Sequence, residues 1–517
     1  MNADLLNYVL LGSMMVLLAA VIAVRLATRA GLPALLAFLA LGLALGEGGI
    51  GIQFDDPQLM QVLGFVALAI ILAEGGLSTK WADIRPSLVF ALLLSTVGVA
   101  VSVTITAIVG HYALGLDWRI AILVGAVVSS TDAAAVFSIL RYLPLRARVR
   151  SALEAESGLN DPPVVILVTL VVSDAWAQTG ILATAGEAVY QLLGGAAFGI
   201  FVGMAGQWLL TRSALPVSGL YPAATFGLPL LAFGGAGVLG ASGFLAAYVC
   251  GLWLGNAPLP HRNATLGFAE GVAWLAQIAL FTLLGMLASP AELPAALIPA
   301  LVIGASLTLV ARPASVMVSA ISLRLTRIRI PPLRLPGRRP RQPSTVPVCR
   351  PCWRIPLREQ AFLSWAGLRG AVPIVLATIP QSEDVAGADG LFDIVFVLVI
   401  IFTLLQGPPL PWIARRLGIS VEGSTQEVNV DSAPIEERHA DLLTVNVTKH
   451  CELVGRQIQN LGLPPGALVT LLVRGESSHV PSGETILAQG DRFIVITTHT
   501  MRAQVQDRLN ELTNPPS

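Results

Sequence analysis

Hydrophobic positions dominate this chain in long blocks, and polar residues mark the gaps between them. Runs of roughly 20 apolar residues, enough to cross a bilayer, fall at about 5–28, 33–50, 60–78, 87–110, 119–140, 153–173, 184–211, 215–234, 237–255, 267–288, 293–323, 360–380 and 391–414. The pattern predicts about thirteen transmembrane helices. The first run, Leu5 to Leu26, has no small-residue cleavage site and reads as a helix rather than a signal peptide. Beyond Arg416 the pattern changes. "LLTVNVT", "ALVTLLVRG" and "DRFIVITT" alternate or cluster as strands. "ELVGRQIQNLGL" and "MRAQVQDRLNEL" have helical spacing, which predicts a small α/β domain over 441–512. It carries no Gly-x-Gly-x-x-Gly after a strand, so a dinucleotide fold is not supported. The plain alternative for such a tail is a folding or dimerisation module.

Composition agrees with a polytopic membrane protein. Of the 517 residues, 54% are hydrophobic and 12% charged, against about 25% charged in soluble domains. Net charge is zero, but its distribution is informative. Odd-numbered runs end at Arg25/Arg29, Lys80/Arg85, Arg141 to Arg150, Arg212, Arg262, Arg324 and Arg415/Arg416, whereas the other side offers Arg119. This bias places the N-terminus outside and the C-terminus in the cytoplasm. Residues 1–416 then form the membrane domain and 417–440 an acidic linker. Residues 324–358, with ten arginines, many prolines and no acid, form a cytoplasmic loop suited to anionic lipid. Cys349 and Cys352 within it lack a second ligand pair, and four cysteines give no disulfide framework.

The blocks are broken by charges that hydrocarbon does not tolerate without cause. Counting about 1.5 Å per residue from the arginine-rich ends, Asp132 lies about 14 Å deep, Asp161 and Arg369 about 16 Å, and Arg312 about 18 Å. Glu74 and Glu156 are shallower, at about 9 Å. Glu154 and Glu270 read as solvated end charges. Glu156 and Arg369 read as a structural ion pair, with Arg312 and Glu74 in support. Four acids against two arginines leave carboxylate in excess, which only protons or a bound cation can neutralise. That is the chemistry of proton–cation exchange. Hard oxygen donors suit a small monovalent cation.

The backbone pattern points the same way. Pro162 and Pro163 deprive the carbonyls of Gly158 and Leu159 of helical donors, while Ser157, Asn160 and Asp161 share a helix face. "SSTDAAA" (129–135) and "GLRGAVP" (367–373) predict interrupted helices on the fifth and twelfth runs. Seven runs apart, these point in opposite directions, and broken helices in two halves of a chain mark a transporter site. Thirteen runs parse as six, a connector and six inverted.

"SSTDAAAVFSIL" (129–140), "EAESGLNDPPVVIL" (154–167), "SWAGLRGAVPIVLATIP" (364–380) and "ALAIILAEGGLS" (67–78) together resemble the monovalent cation–proton antiporter-1 family, NhaP type, across most of residues 1–416. The resemblance implies an all-α fold of about thirteen helices in six-plus-six inverted repeats with crossed broken helices. It implies a homodimer in which a mobile core carries the site past a scaffold, in a bacterial inner membrane. It assigns ion and proton binding to Asp161, Asp132, Thr131, Ser157, Asn160 and Glu156, with the monovalent cation at Asp161, Ser157 and Thr131. Arg369 pairs with Glu156, and the Asn-Asp pair goes with electroneutral exchange. The tail resembles a TrkA-C domain, the C-lobe of potassium-transport regulators, which implies a small-molecule or nucleotide ligand. That tail and Ala133 after Asp132 resemble the potassium–proton branch; sodium or lithium exchange is the alternative. Residues 325–353 depart from the family, where relatives carry a short link. No cofactor, enzymatic activity or nucleic-acid partner is implied. A ligand-gated channel would need a carbonyl filter, and "TVGVA" (96–100) lacks its aromatic residue. An intramembrane aspartyl protease on Asp132 and Asp161 would need a Gly-x-Gly-Asp, absent from both helices.

Overall fold

The computed structural model describes residues 3–29, 33–52, 54, 56–132, 135–136, 139–140, 145–173, 180–212, 216–325, 355–388, 390–420, 434–435, 440–447, 453–474, 477–498 and 501–513. Ala133, Cys349, Cys352, Cys451, most of the 324–358 loop and most of the 417–440 linker lie outside them. The chain divides into two compact units, Met1–Ser420 and Val421–Ser517.

In the first unit, eight helices among the described residues are long and apolar enough to cross a membrane, and Leu391–Gln406 with Leu410–Arg416 adds a ninth bent by 47°. Four shorter apolar helices, Ala34–Leu45, Trp118–Val127, Gly243–Asn256 and Ala371–Ser382, coincide with the other expected runs. Length therefore supports nine crossings, fewer than the thirteen expected from the apolar runs. The shortfall has a physical cause on the fifth and twelfth runs. Helix stops at Val127, and a second break separates Leu357–Trp365 from Ala371–Ser382. Large apolar side chains such as Leu18, Ile22, Phe201 and Leu309 point outward, as a lipid solvent permits.

Two groups of helices pack within this unit. Pro57–Ser78, Ile181–Arg212, Leu220–Val238, Gly243–Asn256 and Arg262–Leu287 form one, joined by Ala34–Leu45. Gly255 permits its closest approach: a β-carbon there would collide with the Leu77 carbonyl. The other group gathers Trp81–Leu114, Trp118–Val127, Ala147–Val172, Leu293–Leu325 and the last membrane helices. Two of its long helices contain π-turns, Leu94–Gly98 and Leu307–Ala311. Extra-residue turns of this kind re-aim the residues that follow, and the second delivers Arg312 into the interior.

Among its described residues the second unit contains a five-stranded antiparallel sheet, order β1-β2-β5-β3-β4, from β1 Pro434–Ile435, β2 Ala440–Asn446, β3 Leu468–Arg474, β4 Ser477–His479 and β5 Arg492–Thr498. Leu443, Val445, Leu472, Phe493 and Val495 pack against Val505, Leu509 and Leu512 of the helix Arg502–Thr513. The helix expected over "ELVGRQIQNLGL" does not form among its described residues, 453–463; a 3-10 turn, Ile458–Leu461, is their helical part. Gly455 has φ +82, and the amides of Gly455, Ile458 and Gln459 donate across to Leu487, Thr485 and Gly483. Pairing with that neighbouring segment replaces the i→i−4 bonds of a helix.

Candidate functional site

The two breaks meet. Between Val127 and the following turn, Ser129, Ser130 and Thr131 have small polar side chains that compete for backbone bonds. Ser129 Oγ donates to the Gly125 carbonyl at 2.6 Å. The Asp132 amide then donates to the Leu368 carbonyl at 2.9 Å, across to the break at Ala366–Gly370. Asp132 Oδ1 accepts from the Ala135 amide at 3.3 Å, as a capping carboxylate does. Gly370 is required here, because a β-carbon would collide with Asp132 Oδ2.

Against this crossing lies Ala147–Val172, helical through Pro162 and Pro163. Glu156, Asn160 and Asp161 are buried on it, and Ser157 is half-buried. Ser130 Oγ donates to Asp161 Oδ1 at 2.5 Å. Thr131 Oγ1 donates to Glu156 Oε1 at 3.2 Å and accepts from Asn160 Nδ2 at 2.6 Å. Asn160 Oδ1 is buried with no hydrogen-bond partner among the described residues.

The expected ion pair has a different partner. Glu156 is held two-pronged by Arg312, with Nη1–Oε1 at 2.5 Å and Nη2–Oε2 at 2.8 Å. Arg369 instead donates through Nη1 to the Gly367 carbonyl at 2.6 Å. The reason is local. The break leaves carbonyls without helical donors, and the guanidinium two residues on supplies one, while the π-turn aims Arg312 at Glu156.

Glu74 belongs to the other helix group, and among the described residues no hydrogen bond or ion pair ties it to this cluster. The cluster thus holds three carboxylates (Asp132, Glu156, Asp161) and two guanidiniums (Arg312, Arg369), a smaller excess than the sequence suggested. The only sequence signal for Ser130 as the partner of Asp161 is its place in the polar run.

Residues 15–416 match the sodium/hydrogen exchanger transmembrane family. The chain belongs to that family. Residues 442–510 match the TrkA-C domain. The exchanger is similar to the K(+)/H(+) antiporter NhaP2 of Shewanella oneidensis, at 34% identity over 505 residues, 96% of this chain and 82% of that one. It is similar to the K(+)/H(+) antiporter NhaP of Alkalimonas amylolytica, at 33% over 473 residues, 90% and 76% of the two chains. In fold it resembles the sodium proton antiporter MjNhaP1 of Methanocaldococcus jannaschii, with a TM-score of 0.64 at 18% identity over 79% of this chain and 99% of that one. As a member of this family the chain is a multi-pass membrane transporter and not an enzyme.

Proposed function

We propose that this exchanger trades cytoplasmic K+ for external H+ without net charge movement, with both ions competing for Asp161. The carrying observation is the unmet acceptor capacity at the site. Asp161 accepts from Ser130, while the Asn160 Oδ1 beside it on the helix has no donor among the described residues. A buried acceptor set of that kind is completed either by a proton or by a dehydrated monovalent cation. Thr131, Ser157 and Asp132 supply the neighbouring oxygens. Glu156 is committed to Arg312 and Thr131, so its part is to hold Thr131 and Asn160 in register.

The potassium assignment is supported by the relatives named as K(+)/H(+) antiporters, which match across 96% and 90% of this chain. Orientation rests on the arginine bias, with the N-terminus outside the bacterial inner membrane. The resemblance to NhaP-type antiporters supports a homodimer. The TrkA-C domain takes a small-molecule or nucleotide ligand that regulates exchange.

The test is proton flux in proteoliposomes with K+, Na+ and Li+ compared side by side. Asp161→Asn is expected to abolish cation-dependent proton movement while the protein stays monodisperse. Exchange that persists in this variant would overturn the assignment, and equal or faster exchange with Na+ would replace potassium by sodium.

A further inference from the structure

Tyr248 is buried at 3% exposure on Gly243–Asn256, a helix of the group that does not carry the site. Its ring lies against Gly158 of the site helix, where a β-carbon would collide with Cε2 and Cζ. Gly158 shares a helix face with Glu154 and Asp161, at spacings of four and three. Glu154, paired with Arg150 at 2.8 Å, stands at the helix end and its side chain is 23% exposed. Glu154 and Asp161 therefore mark the two ends of a lane along this helix face, and the ring covers Gly158 between them.

The two sides of this contact are anchored separately. Tyr248 is fixed by backbone packing of its helix on Pro57–Ser78: β-carbons at Gly76 and Gly251 would meet the carbonyls of Tyr248 and Ala73. Gly158 is fixed by the site helix. A relative slide of the two groups must therefore draw the ring out of its notch. The buried tyrosine hydroxyl lies beside Thr79 and makes no hydrogen bond of good geometry among the described residues, so water entering an opened lane would solvate it. Closure is favoured by ring packing and opening by hydration, as a two-state contact requires.

We infer that Tyr248 is a gate residue, closing the Arg150-side path to Asp161 by seating its ring in the Gly158 notch. The inference rests on Asp161 being the transport carboxylate. It is tested by the reaction of Asp161→Cys, in a chain with its four native cysteines replaced, with a membrane-impermeant anionic methanethiosulfonate. The reagent is added to inside-out vesicles, which present the Arg150 end. Adding Tyr248→Ala is expected to raise the labelling rate about tenfold or more, and Tyr248→Phe to leave it within about twofold, because accessibility follows the open population. Gly158→Ala, which displaces the ring without removing it, should act in the direction of Tyr248→Ala. It decides the question alone if Tyr248→Ala is not monodisperse. An unchanged rate in folded Tyr248→Ala or Gly158→Ala, or equal acceleration by Tyr248→Phe, overturns the gate. Labelling needs no ion exchange, so this outcome is separable from failure of the antiport reading, which Asp161→Asn flux decides.

Discussion

At the residue scale, Arg312 and Arg369 carry the same charge into the same buried cluster and do different work. Arg312 neutralises Glu156 through two short contacts, whereas Arg369 donates to the Gly367 carbonyl within its own broken turn. Removing one partner of a buried pair costs about 3–5 kcal/mol, and losing a charged hydrogen bond to backbone about 1.5–3 kcal/mol. Arg312→Ala is therefore expected to lower yield and melting temperature more than Arg369→Ala. Thermal unfolding followed by detergent size-exclusion chromatography checks the order. The reverse order would make Arg369 the main partner after all. Depth counted along straight helices did not separate the two candidates, since it put Arg369 about 16 Å and Arg312 about 18 Å from the cytoplasmic end against about 9 Å for Glu156. Packing makes the choice: Arg312 opens the helix Arg312–Leu325 just after the π-turn Leu307–Ala311, and its guanidinium reaches Glu156.

The elements of the site are two interrupted helices crossing and one continuous helix laid against them. Their meeting depends on backbone contact between Asp132 and Leu368, and on the absence of a side chain at Gly370. Gly370→Ala must push Asp132 or the crossing strand of chain aside. A displacement of about 1 Å costs about 100-fold in rate where geometry is tight, so exchange in proteoliposomes should fall by about that factor. Gly75→Ala, which meets nothing within 4 Å, serves as the control and should leave exchange unchanged. Both breaks were legible in sequence, since Ser-Ser-Thr-Asp and the Gly/Pro-rich "GLRGAVP" are poor helix formers at interior positions. The partner of Ser130 was not legible. Once helix geometry stops at Val127, spacing no longer says which way a side chain points.

At the scale of the whole molecule, each unit is organised against a different solvent. The membrane unit turns apolar residues outward and buries a small set of charges, among them Glu156, Asp161, Arg312 and Arg369. The tail has an ordinary core under its sheet and, among the described residues, a partly buried ion pair, Arg474–Asp491. Arg474 donates to both Asp491 oxygens, at 2.8 and 2.7 Å, and the Ala488 amide adds a third bond at 2.7 Å. The Arg474 hydrogen bond holds the Asp491 carboxyl below its usual range. A lowered folded pKa stabilises above the unfolded value of about 3.9, and that contribution is lost as pH falls through the folded value. Hydrogen exchange on the full chain should accordingly show protection of β3 and β5 steady from pH 7 to about 4 and falling below. Asp491→Asn should be less protected at neutral pH, with a flatter acid response.

What the sequence determined by itself follows from period and polarity. Apolar blocks, arginine bias, broken-helix signals and the identity of Asp132, Thr131, Asn160 and Asp161 as candidates need no knowledge of neighbours. The tail's main strands and closing helix were legible for the same reason, while "ELVGRQIQNLGL" misled because amides of Gly455, Ile458 and Gln459 pair with a distant segment. Tertiary structure alone decided that Arg312 answers Glu156, that Ser130 answers Asp161, and that Tyr248 covers Gly158. Each of these depends on where a side chain from one element meets another. A one-dimensional pattern fixes the face a residue occupies, not the partner that packing brings to it.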